Sequence, residues 1–179
     1  MSRTEIRVTG YGGQGVVLCA YIIGRANAVN AGHHSTMIQS FGPEARGSAC
    51  AASVVLDEEV ITYPYLRRTD VLIALSREGY EKYADELKDS GVLIYDEDLV
   101  EPDTERATIR AIGIPATRLA EDLGKRIVQN IVVVGFAIAA TEVVSKKAAL
   151  EAVETSVPEA LVDLNRKAFE TGYEYFQRH

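Results

Sequence analysis

The stretch TGYGGQGVV, residues 9–17, decides how this chain is read, because it sets Gly10, Gly12 and Gly15 in the spacing GxGxxG directly after the short apolar segment IRV. Upstream, EIRVTG has the composition of a strand. Downstream, VVLCAYIIGRANAVNAG reads as an amphipathic helix ending at Gly32. The chain therefore opens as strand, tight glycine turn and helix. A turn of this kind allows close approach of a phosphate, and the helix start offers unpaired N–H groups at the positive end of its dipole. A dinucleotide site also needs an acidic residue about 20 positions on to hold a ribose hydroxyl. That neighbourhood reads HSTMIQSFG and has no Asp or Glu. Gln14 inside the loop and the extra Gly13 depart further from the pattern. A close-packed structural turn, an anion site and a partner-contact loop all stay open.

Outward from the turn, HSTMIQSF reads as a second strand and ACAASVVLDEEV as a third. Only GPEARGS joins them, too short for the crossover helix that a parallel pair requires, so these strands are expected to run antiparallel. DVLIALS and GVLIYDE are nearly continuous apolar runs, the pattern of strands buried on both faces, with the helix-like REGYEKYADELKDSG between them. ATIRAIGI gives a further strand, and Pro115 starts the helix PATRLAEDLG where proline is tolerated. The final third, from NIVVVGFAIAATEVVS through KKAALEAVETS to PEALVDLNRKAFETGYEYFQRH, needs helices alone. Leu161, Leu164, Ala168, Phe169, Tyr173 and Phe176 recur at three- and four-residue steps as one packing face. The expected fold is α/β: one three-layer Rossmann-like domain over residues 1–179, with a mostly parallel mixed sheet, one antiparallel strand and a helical C-terminal third.

Composition narrows the partners. Twenty-six acidic against 19 basic residues give a net charge of −7, which argues against nucleic acid and against an anionic membrane surface. The longest apolar run, residues 131–140, is half of the ~20 residues that a bilayer crossing needs. The N-terminus lacks a basic-then-apolar leader pattern, so a cytoplasmic location is expected. Two cysteines, Cys19 and Cys50, stand far apart without a CxxC, so the chain offers no iron–sulfur or zinc ligand set. There is no GxSxG elbow, P-loop lysine or HExxH, and no catalytic residue is assigned. In SFGPEARGSA, Gly42, Pro43 and Gly47 shape a loop that presents Glu44 and Arg46. A local Glu–Arg pair contributes only about 0–1 kcal/mol, whereas the arginine fork can grip a carboxylate or phosphate at two points. That loop reads as a ligand or partner contact. Adjacent His33 and His34 would face opposite sides of a strand and share no metal. Tyr63, Pro64 and Tyr65 form an aromatic loop, read equally as a contact patch or a cover over the core.

Taken in order, GYGGQGVV, SFGPEARGSACAASVV, DVLIAL, GVLIYD, IPATRLAEDLG, NIVVVGFAIAAT and NRKAFETGYEY resemble the gamma subunit of 2-oxoacid:ferredoxin oxidoreductases over nearly the whole chain. Family positions that match are Gly10, Gly12, Gly13, Gln14 and Gly15 in the first loop and Gly42, Pro43, Glu44, Arg46 and Gly47 in the second. Ser48 stands where relatives often carry another glycine. The resemblance implies a subunit of a complex that oxidatively decarboxylates a 2-oxoacid to an acyl-CoA and passes electrons to ferredoxin. It implies alpha and beta partners, a delta ferredoxin-like subunit, and indirect contact with ferredoxin. Thiamine diphosphate, Mg2+ and the iron–sulfur clusters would sit on those partners, with this chain toward the coenzyme A side. A gamma chain without a fused ferredoxin-like domain implies 2-oxoglutarate over pyruvate or branched-chain oxoacids, and indolepyruvate enzymes also have a stand-alone relative. A stand-alone nucleotide-binding protein that uses the glycine loop is the competing reading.

Overall fold

The computed structural model describes residues 3–41, 49–103 and 109–179. Six strands, β1 (Thr4–Tyr11), β2 (His34–Phe41), β3 (Ala49–Asp57), β4 (Thr69–Ala74), β5 (Leu87–Asp96) and β6 (Arg110–Ile114), form one sheet in the order β2-β3-β1-β4-β5-β6. β3 runs antiparallel to both of its neighbours, and β1, β4, β5 and β6 are parallel. The short β2–β3 connection foretold that single reversal.

Strand alternation separates two layers. Ile6, Val8, Ala52, Val54, Val71 and Ile73 point into the larger core, beneath α1 (Val16–Arg25), α3 (Ala116–Asp122), α4 (Gln129–Thr141), α5 (Lys146–Glu154) and α6 (Val162–Arg178). Ala51, Leu72, Ala74 and Leu93 face the other way, where α2 (Arg77–Tyr83) covers them with Tyr80 and Tyr83. This is the expected three-layer arrangement, with a helical final third. α1 widens into a π turn over Ala26–Asn30 before Gly32 reverses the chain at a φ of 77°.

The helix read across REGYEKYADELKDSG is a correction. α2 stops at Tyr83, a 3-10 turn covers Ala84–Glu86, and β5 already begins at Leu87. Leu87 pairs with Thr69 and is buried, and the register then jumps so that Val71 faces Val92. Burial of one leucine in the sheet outweighs the helical propensity of ELKD, a weak preference per residue. His33 likewise lies outside the strand, its N–H bonded to the Asn27 carbonyl, and β2 starts at His34.

Every residue of α4 from Gln129 to Ala140 is buried, so this helix must be wrapped on all sides. α6 supplies the closest wall, presenting Ala168 and Phe169 buried and Leu164, Tyr173 and Phe176 against the core. At the crossing the backbones touch: a Cβ on Gly172 would strike the Val132 carbonyl, and one on Gly135 the Phe169 carbonyl. Neither obstacle is a side chain that could turn away. Gly172→Ala is expected to lower unfolding free energy by about 2–3 kcal/mol in a urea titration, through forced separation of the two helices. An unchanged midpoint would mean that the crossing is looser than described.

Candidate functional site

Four helix starts gather at one end of the sheet. α1 follows β1, α2 follows β4, α3 follows β6, and the first residues of α4 reach both the β1 turn and the end of β5. The glycine turn lies at the centre of this edge. Gly10 is the penultimate residue of β1, and a Cβ there would meet Gln14 Oε1 at 2.5 Å and Leu75 Cβ at 3.0 Å. Gly12 and Gly13 are exposed with nothing above them, and Gly13 and Gly15 hold φ values of 99° and 71° that L side chains rarely adopt.

Gln14 acts on the turn itself. Its Oε1 accepts the Tyr11 N–H at 2.6 Å and its Nε2 donates to the Leu75 carbonyl at 2.8 Å, so one amide ties the ends of β1 and β4 together. The turn is therefore shaped from within. Gly15 is the N-cap of α1, which has no side-chain cap and no acidic residue in its first turn. The first-turn amides of residues 16–18 are left without a side-chain acceptor.

Asn130, the second residue of α4, lies directly against that helix start. A Cβ on Gly15 would collide with the Asn130 amide nitrogen and come within 2.7 Å of its Cγ. Asn130 is 4% exposed, and its side-chain amide forms no hydrogen bond among the described residues. Neither atom of that amide is among the fully buried polar atoms left without a partner, so the group stays in reach of solvent or a ligand. Here it adds donors beside an uncapped helix N-terminus, an arrangement that suits an anion. Lys125 and Arg126, exposed just ahead of α4, make no ion pair among the described residues, and Ile127 beside them is 77% exposed.

Asp96, at the end of β5, is wholly buried. Its Oδ2 accepts from Thr117 N at 3.2 Å, Thr117 Oγ1 at 2.9 Å and Gln129 Nε2 at 2.9 Å, and its Oδ1 accepts from Asp98 N at 3.1 Å. One carboxylate thus fixes the starts of α3 and α4 against the sheet, and through Gln129 it sets the neighbouring Asn130. Burial pushes its pKa above the usual carboxylate range, opposed by the hydrogen bonds from Thr117 and Asp98. The sequence reading missed Asp96, Gln129 and Asn130. Their only signal was an acid ending an apolar strand and a polar QN pair opening an apolar helix.

Gly42, Pro43, Glu44, Arg46 and Gly47 lie outside the described residues. The strands that flank them do not: Tyr11 faces Ala49 and Phe41 faces Cys50, so β2 ends and β3 begins at the edge that carries the glycine turn. The same register disposes of a dinucleotide fingerprint. β3 separates β1 from β2, which therefore cannot present a ribose-binding acid beside the turn. The two cysteines do not suit a cluster. Both are buried, and Cys19, whose thiol donates to the Asn130 carbonyl at 3.8 Å, has its pKa pushed up to about 12 by burial. No grouping of three metal-ligating side chains occurs among the described residues, and none of their helices is long and apolar enough to cross a membrane.

Residues 5–175 match the family model described as pyruvate ferredoxin/flavodoxin oxidoreductase. The chain belongs to that family. It is 41% identical over 174 residues to 2-oxoglutarate synthase subunit KorC of Methanocaldococcus jannaschii, covering 96% of this chain and 93% of that protein. Among solved structures it resembles the gamma subunit of a keto/oxoacid ferredoxin oxidoreductase from Geobacter sulfurreducens, with a TM-score of 0.85, 38% identity and coverage of 98% and 99%. The 2-oxoglutarate:ferredoxin oxidoreductase of Magnetococcus marinus, solved with 2-oxoglutarate, coenzyme A and succinyl-CoA, shares the fold at a TM-score of 0.90 and 24% identity. There the match covers all of this chain and 32% of that one. The gamma-subunit resemblance drawn from stretches along nearly the whole chain therefore holds, and the stand-alone nucleotide-binding reading has no support.

The sign of the Asp96 shift gives a test. A folded-state pKa above the unfolded value makes a stability contribution that is full at low pH and fades as pH rises through the folded pKa. Asp96→Asn places an NH2 among donors and is expected to lower stability by about 1–3 kcal/mol. Measured by thermal unfolding between about pH 4 and pH 8, that deficit should narrow as pH rises, because only the parent carries the ionisation penalty. A deficit that widens with pH would show that the four donors hold the carboxylate down instead.

Proposed function

We propose that this chain is the gamma subunit of a cytoplasmic 2-oxoglutarate:ferredoxin oxidoreductase, working as one domain over residues 1–179. It assembles with alpha and beta subunits and a delta ferredoxin-like subunit, and it presents its glycine turn to coenzyme A. The single observation that carries the coenzyme A role is the unpartnered Asn130 amide, 4% exposed, against the uncapped start of α1. Coenzyme A carries phosphates, and a helix N-terminus flanked by free donors stabilises such groups without a charged side chain. Lys125 and Arg126 add exposed positive charge beside α4. Gly42, Pro43, Glu44, Arg46 and Gly47 belong to the same reading, with the Arg46 fork as a second anion or carboxylate grip.

The division of labour follows from donor chemistry. Thiamine diphosphate stabilises the carbanion left by decarboxylation, and iron–sulfur clusters take its electrons. The described residues suit neither group, so this chain binds and orients while the partners, with Mg2+, carry both steps and hand electrons to ferredoxin. The similarity to archaeal 2-oxoglutarate synthase subunits supports 2-oxoglutarate as the oxoacid.

The experiment is reconstitution of the complex with Asn130→Asp, nearly isosteric but negatively charged. The KM for coenzyme A should rise about tenfold or more while kcat at saturating coenzyme stays within about twofold, the mark of lost binding rather than lost chemistry. The purified chain alone should turn over neither 2-oxoglutarate nor pyruvate with coenzyme A and an electron acceptor. An unchanged KM removes the turn from the coenzyme site, and robust turnover by the lone chain overturns the subunit reading.

A further inference from the structure

At the opposite end of the sheet, residues 58–68 join β3 to β4 as a loop without helix or strand. It is nevertheless held firmly. Glu5, 3% exposed, accepts from Arg67 N at 2.6 Å, Arg68 N at 3.1 Å and Arg3 Nε at 2.7 Å, while the Arg3 guanidinium also donates to the Tyr65 carbonyl at 3.0 Å. A buried carboxylate is costly unless its lone pairs are filled. Here the loop backbone fills them, and the loop takes one shape.

What that shape displays is mainly aromatic and apolar, with Arg67 at its end and the exposed Glu58 and Glu59 at its start. Tyr63 and Tyr65 are 48% and 57% exposed with ring centroids 5.6 Å apart, and Val60 is 70% exposed. The Arg67 guanidinium lies 5.9 Å from the Tyr63 ring and forms no ion pair among the described residues. Tyrosine and arginine are the residues enriched in the energetic centres of protein interfaces, and a pre-shaped loop loses little entropy on docking. If Tyr63 and Tyr65 served only to cover the core, their rings would be buried.

We propose that this loop is a docking patch for an acidic face of a partner subunit of the oxidoreductase complex, a claim that rests on the gamma-subunit reading. Charge selects the occupant. Among the described residues Arg67 has no ion pair, and beside two exposed tyrosines it locally complements a carboxylate on another protein, while self-association is left to the test below. Glu59, near the start of the loop, adds the opposite sign there and helps to fix the register of docking.

The test uses the full chain and the purified complex of its partner subunits, with affinity read by interferometry. Tyr63→Ser/Tyr65→Ser and Arg67→Glu should each weaken association about tenfold or more, with thermal unfolding of the isolated chain unchanged. Added salt should weaken the parent's association more than that of Arg67→Glu. If the parent associates and both variants match it, the patch is not the docking surface. If the parent itself fails to associate, the gamma-subunit reading fails first, and this proposal with it. Self-association of the isolated chain that both variants abolish would assign the patch to a second copy and overturn the acidic-partner proposal.

Discussion

Helix α4 is apolar around its whole circumference, and most of the architecture can be understood as what is needed to surround it. The sheet and α1 cover one side, α3 and α5 flank it, and α6 closes the other through a glycine-to-backbone crossing at Gly135 and Gly172. A helix in that position has no freedom to shift. Its first two residues are therefore placed with little latitude, and they are the two that matter at the candidate site. Gln129 bonds to the buried Asp96 carboxylate, and Asn130 rests against Gly15 at the start of α1.

Two amides at that edge do opposite things. Gln14 spends both ends of its side chain on the protein, closing the turn between Tyr11 and Leu75. Asn130 spends neither end. The first explains why the turn carries a glutamine where nucleotide loops need room, and the second explains how the turn still offers donors to an anion. A similar economy appears at the far end, where Glu5 gives a loop a fixed shape and leaves its tyrosines exposed. Both ends keep backbone order high and leave selected groups without internal partners.

Much of this was legible in the residues. The single antiparallel strand followed from a connector too short for a crossover, the buried parallel strands from DVLIALS and GVLIYDE, and the last helix from its three- and four-residue apolar steps. The GxGxxG turn was legible as a turn but not as a site, because its meaning depends on Asn130, more than a hundred residues away in the sequence. Asp96 was hidden for the same reason: an acid at a strand end looks solvent-exposed until α3 and α4 are seen to converge on it. The misplaced end of α2 shows the converse, since local helical pattern in ELKD yields to a long-range pairing of Leu87 with Thr69. Family resemblance filled part of the gap by joining GGQG to GPEARG, although the second motif lies outside the described residues.

The central claim is that the first turn of α1 receives the phosphates of coenzyme A in the assembled enzyme. Amide hydrogen exchange across residues 12–18, compared in the complex with and without saturating coenzyme A, tests it most directly, because the amides in question have no internal side-chain acceptor. The account predicts that these amides slow by about tenfold or more when the coenzyme binds, with little change at the loop of residues 58–68. Unaltered exchange at residues 12–18, in a complex whose turnover still depends on coenzyme A, would contradict it.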